Sequence, residues 1–183
     1  MTLRYGFLAL ALPLFITTCK EPPRGTSTSP QASTRKAQVG SQTNTSERKT
    51  QWVQAPTNVK KMAPYIAKQL SVAQQDGRTL VVYVGATWCE PCKRFHDSVI
   101  RGDLDETFPN VRFLEFDADV HANEIVEAGY ASKYIPMFAL PTEDGRPTNR
   151  QIMGAIKGDG AVPHIIPRLK TLLRTAQPTE LPN

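Results

Sequence analysis

The sequence predicts an α/β domain in which a central mixed β-sheet is flanked by helices. Three observations carry this prediction. Residues 79–84 (TLVVYV) form an unbroken apolar run rich in β-branched side chains, the pattern of a strand buried on both faces. Segments with apolar residues at three- and four-residue steps lie before and after such runs, so helices alternate with strands. Late in the chain two short strand-like runs flank Glu143-Asp144-Gly145, a turn signal that makes the last pair antiparallel.

The elements follow in order. From Pro56, the spacing of Val59, Met62, Ala63, Ile66, Ala67 and Leu70 predicts an amphipathic helix, broken at Asp76-Gly77. The strand at 79–84 runs through the short turn Gly85-Ala86-Thr87 into Trp88-Cys89-Glu90-Pro91-Cys92. That segment opens a helix reaching Phe95 and Val99. Residues 111–116 read as a second strand, 123–133 as a helix and 137–140 as a third strand. Residues 150–153 return antiparallel and stop at Gly154. Ile165, Ile166, Leu169, Leu172 and Leu173 mark a final helix, beginning near Pro163 or Pro167, since proline is comfortable only in a first turn. The domain is therefore assigned to residues 56–175, with 176–183 as a short tail.

The N-terminal part has a different composition. Arg4 precedes an apolar stretch over residues 5–18, which suits an export signal and is shorter than the roughly 20 residues of a membrane span. It ends at Ile16-Thr17-Thr18-Cys19, which resembles a bacterial lipobox, with Thr18 where a smaller residue is usual. Residues 1–19 are thus expected to be a signal peptide and Cys19 the lipidated residue. Residues 20–55 read as a tether. Eleven of residues 20–50 are Ser or Thr, too few apolar groups to offset ordering entropy. A flexible tether of this length has an r.m.s. span of roughly 30–37 Å.

Charge patterning removes one function class. The chain carries a net +5, all of it within residues 1–50, whereas residues 51–183 hold 15 basic and 15 acidic side chains. A nucleic-acid reader needs a basic folded face, so no nucleic-acid partner is expected.

The chemistry is expected at Cys89 and Cys92. Two cysteines three apart, just after a buried strand and opening a helix, meet the unpaired N–H groups and partial positive charge of the helix N-terminus. A thiolate there is stabilised below the free thiol pKa of about 8.5. Cys89, expected at the exposed edge, is the nucleophile, and Cys92, one turn in, resolves the mixed disulfide. Pro91 suits the first turn, and Trp88 is expected to cover the pair. A structural disulfide and half of a zinc site are the competing uses of such a pair, and the chain offers no second pair of zinc ligands. No metal or cofactor is expected. His96 shares a helix face with both cysteines, whereas His121 and His164 read as surface or turn residues.

Trp88-Cys89-Glu90-Pro91-Cys92-Lys93 after the apolar strand resembles thioredoxin-like proteins. So does Tyr130-Ala131-Ser132-Lys133-Tyr134-Ile135-Pro136, which matches the family segment ending in a cis-proline opposite the dithiol. Gly154 matches the family glycine after the return strand. The resemblance implies a thioredoxin-like fold, a redox-active dithiol, and protein clients received at Trp88, Ile135 and Pro136. Glu90 and Pro91, between the cysteines, are the tuning residues it implies. The Glu-Pro dipeptide resembles that of membrane-tethered reductases of cytochrome c maturation, which tilts the direction toward reduction.

Two positions depart from the pattern. Tyr83 stands where the family often has a buried Asp that accepts a proton, and Met137 replaces a common Thr after the cis-proline. Glu90 is then the nearest carboxylate in sequence to Cys92. The expected protein is an exported, lipid-anchored thiol–disulfide oxidoreductase of reductase type, at a bacterial membrane and facing the periplasm or cell exterior. It would be recharged by an upstream membrane or periplasmic electron donor. The alternative is a tethered binding module or metallochaperone without redox turnover.

Overall fold

The computed structural model describes residues 49–174. The expected signal peptide, Cys19, the expected tether up to residue 48, and residues 175–183 with the expected tail lie outside them. Nine elements follow in order: β1 (Gln51–Gln54), α1 (Met62–Gln75), β2 (Thr79–Gly85), α2 (Glu90–Ile100), β3 (Val111–Asp117), α3 (Ala122–Ala128), β4 (Met137–Pro141), β5 (Pro147–Met153) and α4 (Ala161–Arg174). The sheet order is β1-β3-β2-β4-β5. The strands β1, β3 and β2 are parallel, and β4 runs antiparallel to both of its neighbours, β2 and β5. This is the mixed sheet that the sequence predicts.

The apolar run of β2 lies at the centre because it alone is buried from Leu80 to Gly85 on both faces. Its odd-numbered residues Val81 and Tyr83 join Phe113 and Phe138 on one face. There they meet Cys92, Phe95 and Val99 of α2 and Ile165, Leu169 and Leu172 of α4. Leu80, Val82 and Val84 point the other way, with Leu114, Phe116 and Met137, toward Met62 and Ile66 of α1 and Ile125 and Ala128 of α3. Phe95 locks α2 to the sheet, its ring 4.9 Å from Phe138 and 5.3 Å from Phe113, both edge-on. Such pairs add about 0.5–1.5 kcal/mol each beyond area burial.

The structure corrects four expectations. The tether expected over residues 20–55 gives way to folded structure before residue 55. Thr50 is buried, its hydroxyl donating to the carbonyls of Leu104 and Phe108 at 3.0 Å each, and β1 then pairs with β3. Trp52 is the physical reason, because its ring packs against Tyr83, Phe95 and Phe113. The first helix begins at Met62 rather than Pro56, after a turn closed by Val59 N–H to the Pro56 carbonyl. The third helix stops at Ala128, because Gly129 takes a left-handed φ of 87° and caps it. Finally, α4 holds both prolines. Pro163 lies in its first turn, and exposed Pro167 sits mid-helix, where it forgoes one backbone bond.

Candidate active site at the Cys89–Cys92 pair

The site forms where β2 hands over to α2. Cys89 is the N-cap of α2 in extended conformation. Its N–H donates to the Ala86 carbonyl at 3.1 Å, and its carbonyl accepts Lys93 N–H at 3.0 Å. Glu90 and Pro91 begin the helix, so the preset φ of proline supports the first turn. Cys89 and Cys92 are joined, with S–S 2.04 Å and Cα–Cα 5.2 Å. Cys89 was expected at an exposed edge. Instead it is 5% exposed against 2% for Cys92, because the bond draws both into the core cluster of α2. The asymmetry that remains is positional. Cys89 lies at the positive end of the helix and Cys92 one turn inside it.

The surrounding residues divide into those the structure brings to the pair and those it ties elsewhere. The Ile135–Pro136 peptide is cis, as the resemblance implies. Ile135 packs against the cluster containing both cysteines, and the buried Pro136 accepts Gly154 N–H at 2.8 Å. Trp88 does not lie as a lid. It is 68% exposed, and its indole N–H donates to Asp119 at 2.8 Å, because the turn after β3 offers a carboxylate beside it.

Glu90 also turns away from Cys92. It pairs with Arg94, and both its oxygens accept Gly158 N–H at 3.2 Å. The Arg94 hydrogen bond, with the Gly158 N–H and the nearby cations Arg94 and Lys157, holds its carboxyl below the usual carboxylate range against partial desolvation. Arg94 in turn reaches Asp159 at 2.8 Å, which ties the first turn of α2 to the loop before α4.

Tyr83 is 1% exposed under the dithiol loop. Burial, and then the charges of Glu115 and Asp117, push its hydroxyl far above the ordinary tyrosine range, so it stays protonated. Its ring leans along β2 over Gly85, where a Cβ would collide with the Tyr83 hydroxyl and come within 2.7 Å of the ring. That close approach is why glycine ends the strand. Beside it, a cavity of about 400 Å³ is lined by Tyr83, Cys92, His96, Glu115 and Asp117 among others. The carboxylates of Glu115 and Asp117 are the site residues that sequence reasoning missed. Only the register of β3 against β2, which pairs Tyr83 with Glu115 and Gly85 with Asp117, brings them here.

Of the histidines, His96 rests half-buried with its ring edge-on to Trp52 at 5.0 Å. His121 is not on the surface. It is 3% exposed, with Nε2 3.1 Å from the Pro56 carbonyl, because it plugs the turn beneath α1. His164 is half-buried in α4 rather than in a turn, with Nδ1 3.5 Å from the Arg168 guanidinium.

Residues 60–166 match the family described as Thioredoxin-like. The chain belongs to the thioredoxin-like family. It is similar to a thioredoxin of Aspergillus fumigatus, with 35% identity over 75 residues, 41% of this chain and 65% of that protein. The chain thus spans a little under two thirds of that relative. A second A. fumigatus thioredoxin is 32% identical over 82 residues, 45% of this chain and 71% of that one. The H-type thioredoxin of Populus jackii is 27% identical over 113 residues, 62% and 73% respectively. A crystal structure of poplar thioredoxin h aligns with TM-score 0.46 and 26% identity over 68% of this chain and 96% of that one. Directly opposite Tyr83 in register, Glu115 places a carboxylate on the neighbouring strand.

Proposed function

We propose that this thioredoxin-like protein is a thiol–disulfide oxidoreductase that reduces protein disulfides and is held to a bacterial membrane through Cys19. The observation that carries the redox reading is the Cys89–Cys92 bond at the N-terminus of α2. In the reduced form, Cys89 thiolate attacks one sulfur of a client disulfide. The client S–S bond breaks, a Cys89–client bond forms, and one client thiolate leaves. Cys92 then attacks Cys89, the intramolecular bond forms and the second client thiolate departs. Two electrons pass from the dithiol to the client, and an upstream dithiol donor restores the pair. Trp88, Ile135 and Pro136 receive the client, in line with the family resemblance. Met153 at the end of β5 adds apolar exposure.

Direction and tether rest on the sequence: the Glu-Pro dipeptide and the Ile16-Thr17-Thr18-Cys19 segment. One experiment addresses both. The full chain is produced in a Gram-negative bacterium fed a clickable palmitate analogue, and thiols are trapped by acid quench and alkylation. The expected result is label and membrane association that Cys19→Ala abolishes, with Cys89 and Cys92 found mostly as free thiols. Equal label in Cys19→Ala contradicts the tether, and a dithiol held oxidised at steady state contradicts the reductase direction.

A further inference from the structure

We infer that Glu115 accepts the proton of Cys92 when Cys92 resolves a mixed disulfide, an assignment that rests on the thiol–disulfide reading above. The placement comes from strand register. Gln54 of β1, Glu115 of β3 and Tyr83 of β2 lie directly opposite one another, so their side chains form one row on the sheet face that α2 covers. All three line the same cavity as Cys92. Glu115 is half-buried and fixed there. Its Oε2 accepts the Trp52 indole N–H at 2.9 Å, and the Trp52 ring is pinned edge-on against Tyr83 at 4.8 Å. Among the described residues no donor occupies Oε1, which leaves it for a proton arriving through the cavity.

The other ionisable groups around the cavity are committed differently. Asp117 on β3 uses Oδ1 to accept the N–H groups of Asp119 and Val120 at 2.9 and 3.0 Å, which caps its turn. On α2, Asp97 lies beside His96 at 3.3 Å, with both side chains about two-fifths exposed, and Lys93 is a cation with no proton to accept. Tyr83 on β2 is held protonated, so its hydroxyl relays or donates but takes no net proton. Glu90 is bound to Arg94 and Gly158. Asp117 shares the cavity but gives its Oδ1 to two backbone N–H groups of its own turn, whereas Glu115 stands directly opposite Tyr83 in the row beneath α2, with one oxygen held by Trp52 and the cavity shared with Cys92.

The step balances. The Cys92 S–H bond breaks and its proton passes to the Glu115 carboxylate. The sulfur electron pair forms the bond to Cys89, and the Cys89–client bond breaks. The client leaves as a thiolate, which leaves the dithiol oxidised and the client reduced. The carboxylates of Glu115 and Asp117 also disfavour a standing negative charge on Cys92, so it stays a thiol until it attacks, whereas Cys89 at the helix N-terminus ionises first.

The test uses the full chain carrying Cys19→Ser, so that the dithiol supplies all reactive thiols. The reduced protein is mixed rapidly with dithiobis-nitrobenzoate, whose released thiolate is coloured. A first phase reports attack by Cys89, and a second reports resolution by Cys92. In Glu115→Gln the first phase is expected unchanged. The second should slow roughly tenfold or more at neutral pH and recover only at alkaline pH, since positioned acid–base groups contribute about 10²–10⁴ in rate at full strength. Glu115→Asp should recover part of the loss. The Gln side chain still accepts the Trp52 N–H, and an unchanged denaturant midpoint confirms that the fold is kept. A second phase as fast as the parent's across about pH 6–9 overturns the assignment, as does a slowing produced by His96→Gln instead. Absence of the first phase in the Cys19→Ser parent would instead overturn the dithiol reading itself.

Discussion

Replacing Cys92 with serine is expected to turn the protein into a trap. Cys89 retains its place at the N-terminus of α2 and still attacks client disulfides, but the thiol that resolves the adduct is gone. Client proteins then accumulate on Cys89 as mixed disulfides, stable without added thiol and released by dithiothreitol. Cys89→Ser has the opposite outcome. Cys92 is buried one turn inside the helix and faces a cavity lined by the carboxylates Asp97, Glu115 and Asp117, so it forms no adducts and exchange falls to background. Mass spectrometry of alkylated adducts from the two variants decides between them. Adducts forming through Cys92 in Cys89→Ser, at the parent rate, would reverse the roles of the pair.

Gly145→Ala is expected to cause the largest loss of stability from a single methyl group. Gly145 sits in the β4–β5 turn with φ at 79°, a left-handed conformation that costs a side-chain-bearing residue about 1–2 kcal/mol. A Cβ there would also run into the carbonyl oxygen of Ala63 and come within 2.8 Å of the Ala63 carbonyl carbon and the Ala67 nitrogen, all backbone of α1. The helix cannot yield as a flexible side chain would. Tyr130 adds to the constraint by donating its hydroxyl to the Gly145 carbonyl at 3.0 Å. Strain and overpacking together should cost roughly 3–5 kcal/mol, read as a shift in urea midpoint. Gly77→Ala is the control. Its φ is 66°, but the new methyl meets nothing within 4 Å, so only the backbone cost of about 1–2 kcal/mol applies. Equal losses for the two would mean that the close approach of the turn to α1 is not tight.

The parts of this fold that the sequence exposed are those with strong local signals. The β-branched run of β2, the dithiol at a strand-to-helix junction, and the Ile135-Pro136 pair before β4 each fit within a few residues. β1 was illegible because it is four residues long and follows a Ser- and Thr-rich stretch, and its anchor Trp52 matters only once Tyr83, Phe95 and Phe113 converge on it. The length of α3 was overestimated because Tyr130 continues the apolar spacing beyond Gly129. Its ring is buried for a different reason, to reach the Gly145 turn. At the site, Glu90 drew attention by proximity in sequence. Two of the carboxylates that share a cavity with Cys92, Glu115 and Asp117, lie on β3, more than twenty residues away, and no local pattern signals a cross-strand register.

The reduction potential of the Cys89–Cys92 couple tests the central claim most directly. The full chain is equilibrated in graded ratios of reduced and oxidised dithiothreitol or glutathione, quenched in acid, alkylated and read by mass. A protein-disulfide reductase of this family should give a single two-electron curve with a midpoint near that of thioredoxin, about −270 mV. A midpoint near the strong oxidant value of about −120 mV, or a pair that does not cycle at all, would contradict it.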